Sequence, residues 1–281
     1  MTCRTLKVGG AALPRLLLCA LHKDFGGVST WMLTLEKEFL KRGFEVFVAG
    51  PEDEPEGDFD FGLFSNIQYT KKFLKICKKS FNICHGIVEE EKPDPSLPIV
   101  YTSESNAKAW GFSGFLINQP IDVDFWHCEE LSPRERILLL SYRAPENFSD
   151  KISSYCDAIG FAFRHLKEYK AEQAKKEISK STLVLASGRA FLEAASCGVP
   201  VMICDHRSTY QMPFICTDWE SSLFNNYSGR GKNSQQVNLE NFRRGFRDCF
   251  DRGSVRERVI ASHSAEQVCE QFSKLFEMHN C

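Results

Sequence analysis

The stretch that decides the fold reads STLVLASGRAFLEAASCGVPVMICD and spans residues 181–205. Its first apolar run ends in the small residues 186–188, which is typical of a buried parallel strand. A helix rich in small side chains is predicted over residues 189–197, and Gly198 ends it, as glycine often does after a last helical turn. A second apolar run follows at residues 201–204. The whole stretch therefore predicts a strand, a helix and a second strand within one parallel sheet.

The turn between this first strand and its helix has the features of an anion-binding site. In open parallel sheets, ligands bind outside the carboxyl ends of the strands. The backbone N–H groups at the start of a helix also favour anions such as phosphate. Ser187, Gly188 and Arg189 therefore form a candidate phosphate-binding turn, and Glu193 follows one turn later on the same helix.

Composition sets the broad class. The chain has 281 residues, of which 43% are hydrophobic, and this suits two small domains or one large one. The net charge of −2 gives no reason to expect nucleic acid or an anionic membrane as a partner. Twelve cysteines are scattered without a CxxC pair, which favours reduced thiols and a cytoplasmic location. The sequence predicts no transmembrane segment and no signal peptide.

The N-terminal half repeats the strand–helix–strand pattern. A strand is predicted at residues 16–21, an amphipathic helix at residues 28–39 and a strand at residues 44–48, with Gly26 and Gly27 in the loop before the helix. The loop lacks the GxGxxG pattern, so a dinucleotide fingerprint is not supported. The chain therefore reads as an α/β protein in both halves.

Apolar runs and amphipathic patterns predict the remaining elements. Further strands are expected at residues 81–87, 98–102, 112–117 and 136–142. Residues 52–60 read as an acidic surface loop, residues 71–79 as a short helix with a basic outer face, and residues 149–180 as mostly helical. The last helix is amphipathic, with Val268, Phe272, Leu275 and Phe276 on one side.

The pattern GRxxLEAxxxGxPVxxxD, which starts at Gly188, resembles the donor-sugar signature of retaining GT-B nucleotide-sugar glycosyltransferases. Residues 225–230 resemble the NxSGR string that follows this helix in a subset of the family. Weaker similarities lie at Gly26-Gly27, at residues 42–46 and at residues 118–122. The resemblance implies two Rossmann-like domains that face a cleft. It places an acceptor domain at residues 1–125 and a reduced donor domain at residues 126–281, with the last helix packed across the junction.

The resemblance also implies roles for particular residues. Glu193 is expected to bind the ribose hydroxyls of the donor, and its replacement by glutamine to weaken donor binding without changing the melting temperature. His85 and Arg143 are the candidate catalytic residues, since the family often presents a histidine to the cleft and an arginine to the diphosphate. The remaining candidate donor contacts are Gly26, Gly27, Ser187, Gly188, Arg189, Ala190, Ser228 and Arg230.

Two positions depart from the family pattern. The lysine that usually follows the arginine is replaced by Phe148, and the nearest lysine is Lys151. The glutamate expected eight positions before Glu193 is Leu185, so a sugar contact must come from elsewhere.

The implied reaction moves a sugar from a nucleotide-diphosphate sugar, with UDP or GDP as the nucleotide, to an acceptor hydroxyl. The resemblance implies no cofactor and no metal, because this fold class usually works without an essential metal ion. A bacterial or phage-related glycan is the expected acceptor. One alternative is a hydroxymethyl-pyrimidine in phage DNA, which Arg243, Arg244 and Arg247 would help to bind. The others are a nucleotide-sugar epimerase and a catalytically degenerate sugar-nucleotide-binding protein.

Overall fold

The computed structural model describes residues 12–22, 26–141, 144–206, 214–216, 219–228, 235–236, 238–249 and 252–279. The chain divides into two compact units. Unit 1 takes in the described parts of residues 1–101, 110–115 and 269–281, and unit 2 those of residues 102–109 and 116–268. The predicted boundary near residue 125 and the predicted packing of the last helix across the junction stay predictions.

Unit 1 is built on a six-stranded sheet in the order β2-β1-β3-β4-β5-β6, in which β1 to β5 pair in parallel. Two short 3₁₀ helices, Lys71–Ile76 and Glu89–Glu91, flank β4. In chain order the other elements are β1 (Arg15–Cys19), α1 (Gly27–Lys41), β2 (Glu45–Ala49), β3 (Phe59–Ser65), α2 (Ile67–Thr70), β4 (Cys77–Cys84), β5 (Ile99–Tyr101), α3 (Glu104–Trp110) and β6 (Phe115–Leu116). Of these, residues 104–109 of α3 and Leu116 of β6 are assigned to unit 2.

The structure corrects the prediction for residues 52–79. The strand β3 is central, between β1 and β4, although the sequence predicts no strand at residues 59–65. Asp60 and Gly62 interrupt its apolar run and weaken the signal. The predicted basic helix ends at Ile76, and Lys78 lies on β4 instead, where its Nζ is 2.8 Å from Asp60 Oδ1 on β3.

Unit 2 is built on a second six-stranded sheet, in the order β12-β11-β10-β9-β7-β8. Strands β7 to β10 pair in parallel, and β11 and β12 add antiparallel pairs at one edge. The elements are β7 (Arg134–Leu140), α4 (Glu146–Asp157), β8 (Ala162–Leu166), α5 (Ala171–Ile178), β9 (Ser181–Ala186), α6 (Arg189–Ser196), β10 (Val201–Asp205), β11 (Phe214–Cys216), α7 (Trp219–Phe224), β12 (Gln235–Gln236), α8 (Leu239–Asp248) and α9 (Arg252–His263). The last helix, α10 (Ala265–Met278), begins in unit 2 and belongs to unit 1 from residue 269 onwards.

The prediction of a mostly helical segment at residues 149–180 is wrong in its middle. Gly160, with a φ of 81°, follows α4, and the chain then forms the edge strand β8 before α5. An edge strand can be short and half-exposed, so its apolar pattern is weak, and Phe163 fits a helical face as well as it fits a strand.

Both faces of the unit 2 sheet are covered, which explains why its central strands are continuously apolar. Leu138 and Val184 belong to one buried cluster together with α6 and α9, whereas Leu139 and Leu185 belong to the opposite cluster together with α4 and α8. Leu185 is fully buried there. The position that holds a sugar-binding glutamate in the related signature is therefore a core position in this chain.

Among the described residues, none of the helices combines the length and the apolar character that crossing a membrane requires.

Candidate functional site

The predicted turn between β9 and α6 is present, and a glycine makes it possible. β9 ends at Ala186, and α6 begins at Arg189. Gly188 precedes the helix with φ 59° and ψ −132°, a conformation that side chains rarely permit. A Cβ there would meet no atom within 4 Å, so the backbone angle, and not lack of space, requires the glycine.

The structure brings four of the predicted donor-site residues together at this turn: Ser187, Gly188, Arg189 and Ala190 are consecutive and half-buried. Ser228 lies close to them, because the neighbouring residue Tyr227 accepts a hydrogen bond of 2.7 Å from the Gly188 N–H through its carbonyl. Arg143 and Arg230 lie outside the described residues.

The Arg189 side chain is already engaged within the protein. Its Nε is 3.0 Å from Glu193 Oε1, and the two side chains are only 9% and 10% exposed. Its Nη1 donates to the Pro120 carbonyl at 2.9 Å. The guanidinium therefore holds Glu193 and the 118–122 segment, and only the backbone N–H of Arg189 remains a candidate phosphate donor.

Burial controls the electrostatics of this ion pair. It raises the pKa of the Glu193 carboxyl, and the positive charge of Arg189 opposes that rise. Burial also raises the pKa of Tyr169, and the charge of Glu193 adds to the effect. Glu193 is thus a buried carboxyl group, and the adjacent positive charge of Arg189 limits the rise of its pKa.

A buried series of hydrogen bonds, which no sequence pattern predicts, connects the turn at Gly188 to the interior of unit 2. The Tyr227 hydroxyl is 2.9 Å from His263 Nε2, and His263 Nδ1 is 2.9 Å from the Gln119 carbonyl. A carbonyl can only accept, so Nδ1 carries the proton and Nε2 accepts from the tyrosine. The one signal in the sequence was the place of Tyr227 within the string at residues 225–230.

We expect His263 to make the stability of unit 2 depend on pH. Burial lowers the pKa of His263 to about 4, the charge of Arg189 lowers it further, and the hydrogen bond to Gln119 opposes both. The imidazole is neutral in the folded state, whereas unfolding frees it to titrate near pH 6.5. Above pH 6.5 the neutral imidazole contributes fully to the free energy of unfolding. This contribution decreases as the pH falls towards 4, and the decrease amounts to about 2 kcal/mol between pH 7 and pH 5.

Urea unfolding at pH 7 and pH 5 measures this loss. The His263→Gln variant should lose about 2 kcal/mol less than the wild type over the same interval. His127, which is exposed, provides the matched control as His127→Gln, and its pH dependence should follow the wild type. Equal losses in the wild type and His263→Gln would contradict the assignment.

Unit 1 holds the other three predicted residues at the carboxyl edge of its sheet. Gly26, with a φ of 91°, precedes α1, and a Cβ on Gly26 or Gly27 would meet no atom within 4 Å. His85 directly follows β4, and its Nε2 is 2.8 Å from Ser65 Oγ at the end of β3. The Trp31 ring lies edge-on to the imidazole at 4.9 Å. His85 is therefore held in a defined orientation.

Within the part of the chain that the structure describes, no group of three or more His, Cys, Asp or Glu side chains could hold a metal ion.

Comparison with solved structures identifies the fold. AviGT4, a glycosyltransferase involved in avilamycin A biosynthesis, is 13% identical, with a TM-score of 0.62 over 94% of this chain and 97% of that chain. An alpha-glucosyltransferase in complex with UDP and a 13-mer DNA containing an HMU base is 12% identical, with a TM-score of 0.63 over 95% and 100%. The O-GlcNAc transferase of Thermobaculum terrenum is 10% identical, with a TM-score of 0.52 over 95% and 67%.

No protein-family profile matches the sequence. No curated protein matches it at a meaningful level of sequence similarity. The structural likeness nevertheless extends over nearly the whole chain, and it confirms the predicted α/β fold of the GT-B type. At 10–13% identity it establishes the fold alone.

Proposed function

We propose that this protein is a glycosyltransferase that moves a sugar from a nucleoside diphosphate sugar to an acceptor hydroxyl. The observation that carries the proposal is the turn before α6, where Gly188 adopts a positive φ at the carboxyl end of a buried parallel strand. In a GT-B fold, a helix start at that place suits a diphosphate, because its N–H groups and its dipole favour anions.

The proposed donor is a UDP-sugar. The alpha-glucosyltransferase with the same fold has been solved with UDP and with UDP-glucose. In the present chain, the backbone N–H groups of Arg189 and Ala190 would bind the diphosphate, together with the hydroxyls of Ser187 and Ser228. The Gly188 N–H is excluded from this set, since it donates to the Tyr227 carbonyl.

Charged side chains complete the proposed donor site. Glu193 would accept hydrogen bonds from the ribose hydroxyls, and Arg189 would act by holding the Glu193 carboxylate in place. Arg143 and Arg230 remain proposed partners of the diphosphate, since a guanidinium can donate two parallel hydrogen bonds to phosphate oxygens.

In the proposed reaction, the bond between the sugar C1 and the β-phosphate oxygen breaks. A bond forms between C1 and the acceptor oxygen, and the acceptor proton is released. Negative charge develops on the diphosphate as it leaves, so fixed N–H groups and arginines would stabilise the transition state, without a need for metal. His85, whose ring is oriented by Ser65, is proposed to form a hydrogen bond with the acceptor hydroxyl. Unit 1 would then carry the acceptor contacts and the candidate donor contacts Gly26 and Gly27, and unit 2 would carry the other donor contacts.

One observation favours DNA as a second candidate acceptor, next to a glycan. Arg243, Arg244 and Arg247 are exposed on α8. Arg243 and Arg247 also line a groove of about 560 Å³. The alpha-glucosyltransferase of similar fold has been solved with DNA. Arginines on consecutive helical turns suit phosphate contacts.

Nucleotide binding and donor turnover test the proposal. We expect the protein to bind UDP in the presence of EDTA in isothermal titration calorimetry, and to release UDP from UDP-glucose when a suitable acceptor is added. Parallel titrations with GDP and ADP establish which nucleotide is preferred. Failure to bind any of the three nucleotides would refute the glycosyltransferase function.

The acceptor assay separates the alternatives. Transfer of sugar to duplex DNA that contains hydroxymethyl-pyrimidines would favour DNA over a glycan as the acceptor. In that case the transfer should be lost when serine replaces Arg243, Arg244 and Arg247. An epimerase would release nucleotide and sugar product without an acceptor. A degenerate protein would bind UDP and release nothing from UDP-glucose.

A further inference from the structure

Tyr227 connects the start of α6 to the interior of unit 2. Its carbonyl accepts from the Gly188 N–H at 2.7 Å, and its hydroxyl reaches His263 Nε2 at 2.9 Å. The peptide group that leads into α6 is thus held by a residue that is itself fully buried. The direction of the next N–H groups, those of Arg189 and Ala190, depends on this one peptide.

The backbone of Tyr227 adopts a costly conformation to reach Gly188. Asn226 and Tyr227 both have a φ of 53°, which is uncommon for an asparagine and unfavourable for a tyrosine. Contacts of the ring offset this cost. The tyrosine ring stacks on Phe191 of α6 at 5.0 Å and lies edge-on to Trp219 at 5.3 Å.

The other end of the chain of hydrogen bonds is equally fixed. His263 Nδ1 donates to the Gln119 carbonyl at 2.9 Å, and the His263 carbonyl accepts from the Ile121 N–H at 2.6 Å. The Gln119 side chain returns to Asn226, with its Nε2 2.5 Å from Oδ1. Gln119, His263, Tyr227 and Asn226 therefore form a closed ring of contacts beneath the turn at residues 187–188.

From this geometry we propose that Tyr227 and His263 are positioning residues, which hold the turn at residues 187–188 in the shape that presents the α6 N–H groups to a diphosphate. The inference rests on the proposed function for the identity of the ligand. Neither residue needs to touch the nucleotide. His263, in its Nδ1–H form, fixes the Tyr227 hydroxyl, and Tyr227 in turn fixes Gly188.

The Tyr227→Phe variant tests this role, because it removes the hydroxyl and keeps the ring contacts with Phe191 and Trp219. We expect the UDP dissociation constant to rise about tenfold, the size of one lost hydrogen bond, and the Gly188 amide to exchange its hydrogen about tenfold faster. The matched control is Tyr155→Phe, since Tyr155 is a partly buried tyrosine of the same unit that packs on Phe242. It should leave both quantities within about twofold.

Two outcomes would overturn the proposal. One is a Tyr227→Phe variant that melts at a lower temperature but binds UDP like the wild type and exchanges its Gly188 amide hydrogen at the wild-type rate. That result would mean that Tyr227 has a purely structural role. The other is a nitrogen NMR spectrum of the wild type that places the His263 proton on Nε2. If the wild type binds no nucleotide, the proposed function fails, and Gly188 exchange alone decides whether Tyr227 positions the turn.

Discussion

Replacing Arg189 with methionine should lower the free energy of unfolding by about 3–5 kcal/mol at pH 7, because the change leaves a buried carboxylate without its counter-charge. Glu193 lies 8% exposed on the inner side of α6, and Arg189 is the partner that opposes the rise of its pKa. In the variant, that pKa should rise further. The carboxyl would then take up a proton more readily, and the deficit relative to wild type should shrink as the pH is lowered from 7 to 5.

Urea unfolding of matched variants checks this expectation. The double variant Arg189→Met with Glu193→Leu replaces the pair by apolar side chains and should recover most of the lost stability. Lys274→Met, which breaks the exposed i,i+4 pair with Glu270 on α10, should produce no measurable change. An Arg189→Met variant with the unfolding midpoint of the wild type would show that the pair is not buried in solution.

The same ion pair changes the prediction for Glu193→Gln. The sequence alone predicts that the Glu193 carboxylate is available to a ribose, and therefore that the melting temperature of Glu193→Gln is unchanged. In the structure the carboxylate balances Arg189, so its neutralisation should also lower the melting temperature. Nucleotide affinity must therefore be measured well below that temperature for the ribose role to be judged.

The sequence was sufficient where a local pattern determines the structure. The strand, turn and helix around Gly188 could be predicted because two apolar runs, the small residues between the first run and the helix, and a closing Gly198 are all visible within residues 181–205. The central strand β3 was missed, since Asp60 and Gly62 break its apolar run. Its role as a strand depends on β1 and β4 on either side, which no local pattern reveals.

The candidate site likewise combines features that a local sequence pattern predicts with features that depend on tertiary packing. An arginine and a glutamate four residues apart on a helix could have been recognised as a pair, but their burial could not. The contact between Tyr227 and His263 joins residues 36 positions apart, and His263 reaches Gln119 across 144 positions. Such contacts arise from tertiary packing, and the roles of Tyr227 and His263 could be inferred only once the fold was known.

Phe276 of α10 lies at the centre of an aromatic cluster in unit 1. Its ring stacks on Phe61 of β3 with centroids 4.1 Å apart and an interplanar angle of 11°. Within 6.3 Å it also meets the rings of Phe39, Phe44, Phe81 and Phe272. The amphipathic pattern predicts the helix that carries this residue, but it does not identify Phe61 as a partner.

We expect Phe276→Ala to lower the free energy of unfolding by about 3–5 kcal/mol, since it removes a large buried ring and leaves a cavity among the remaining aromatic side chains. Urea unfolding provides the measurement, and Met278→Ala is the control, because Met278 lies on the same helix and is 60% exposed. A loss below about 1 kcal/mol would mean that α10 is not part of the unit 1 core. A loss of the expected size would indicate that the core of unit 1 depends on a side chain from the C-terminal end of the chain. Residues 1–125 by themselves would then lack the ring that stacks on Phe61.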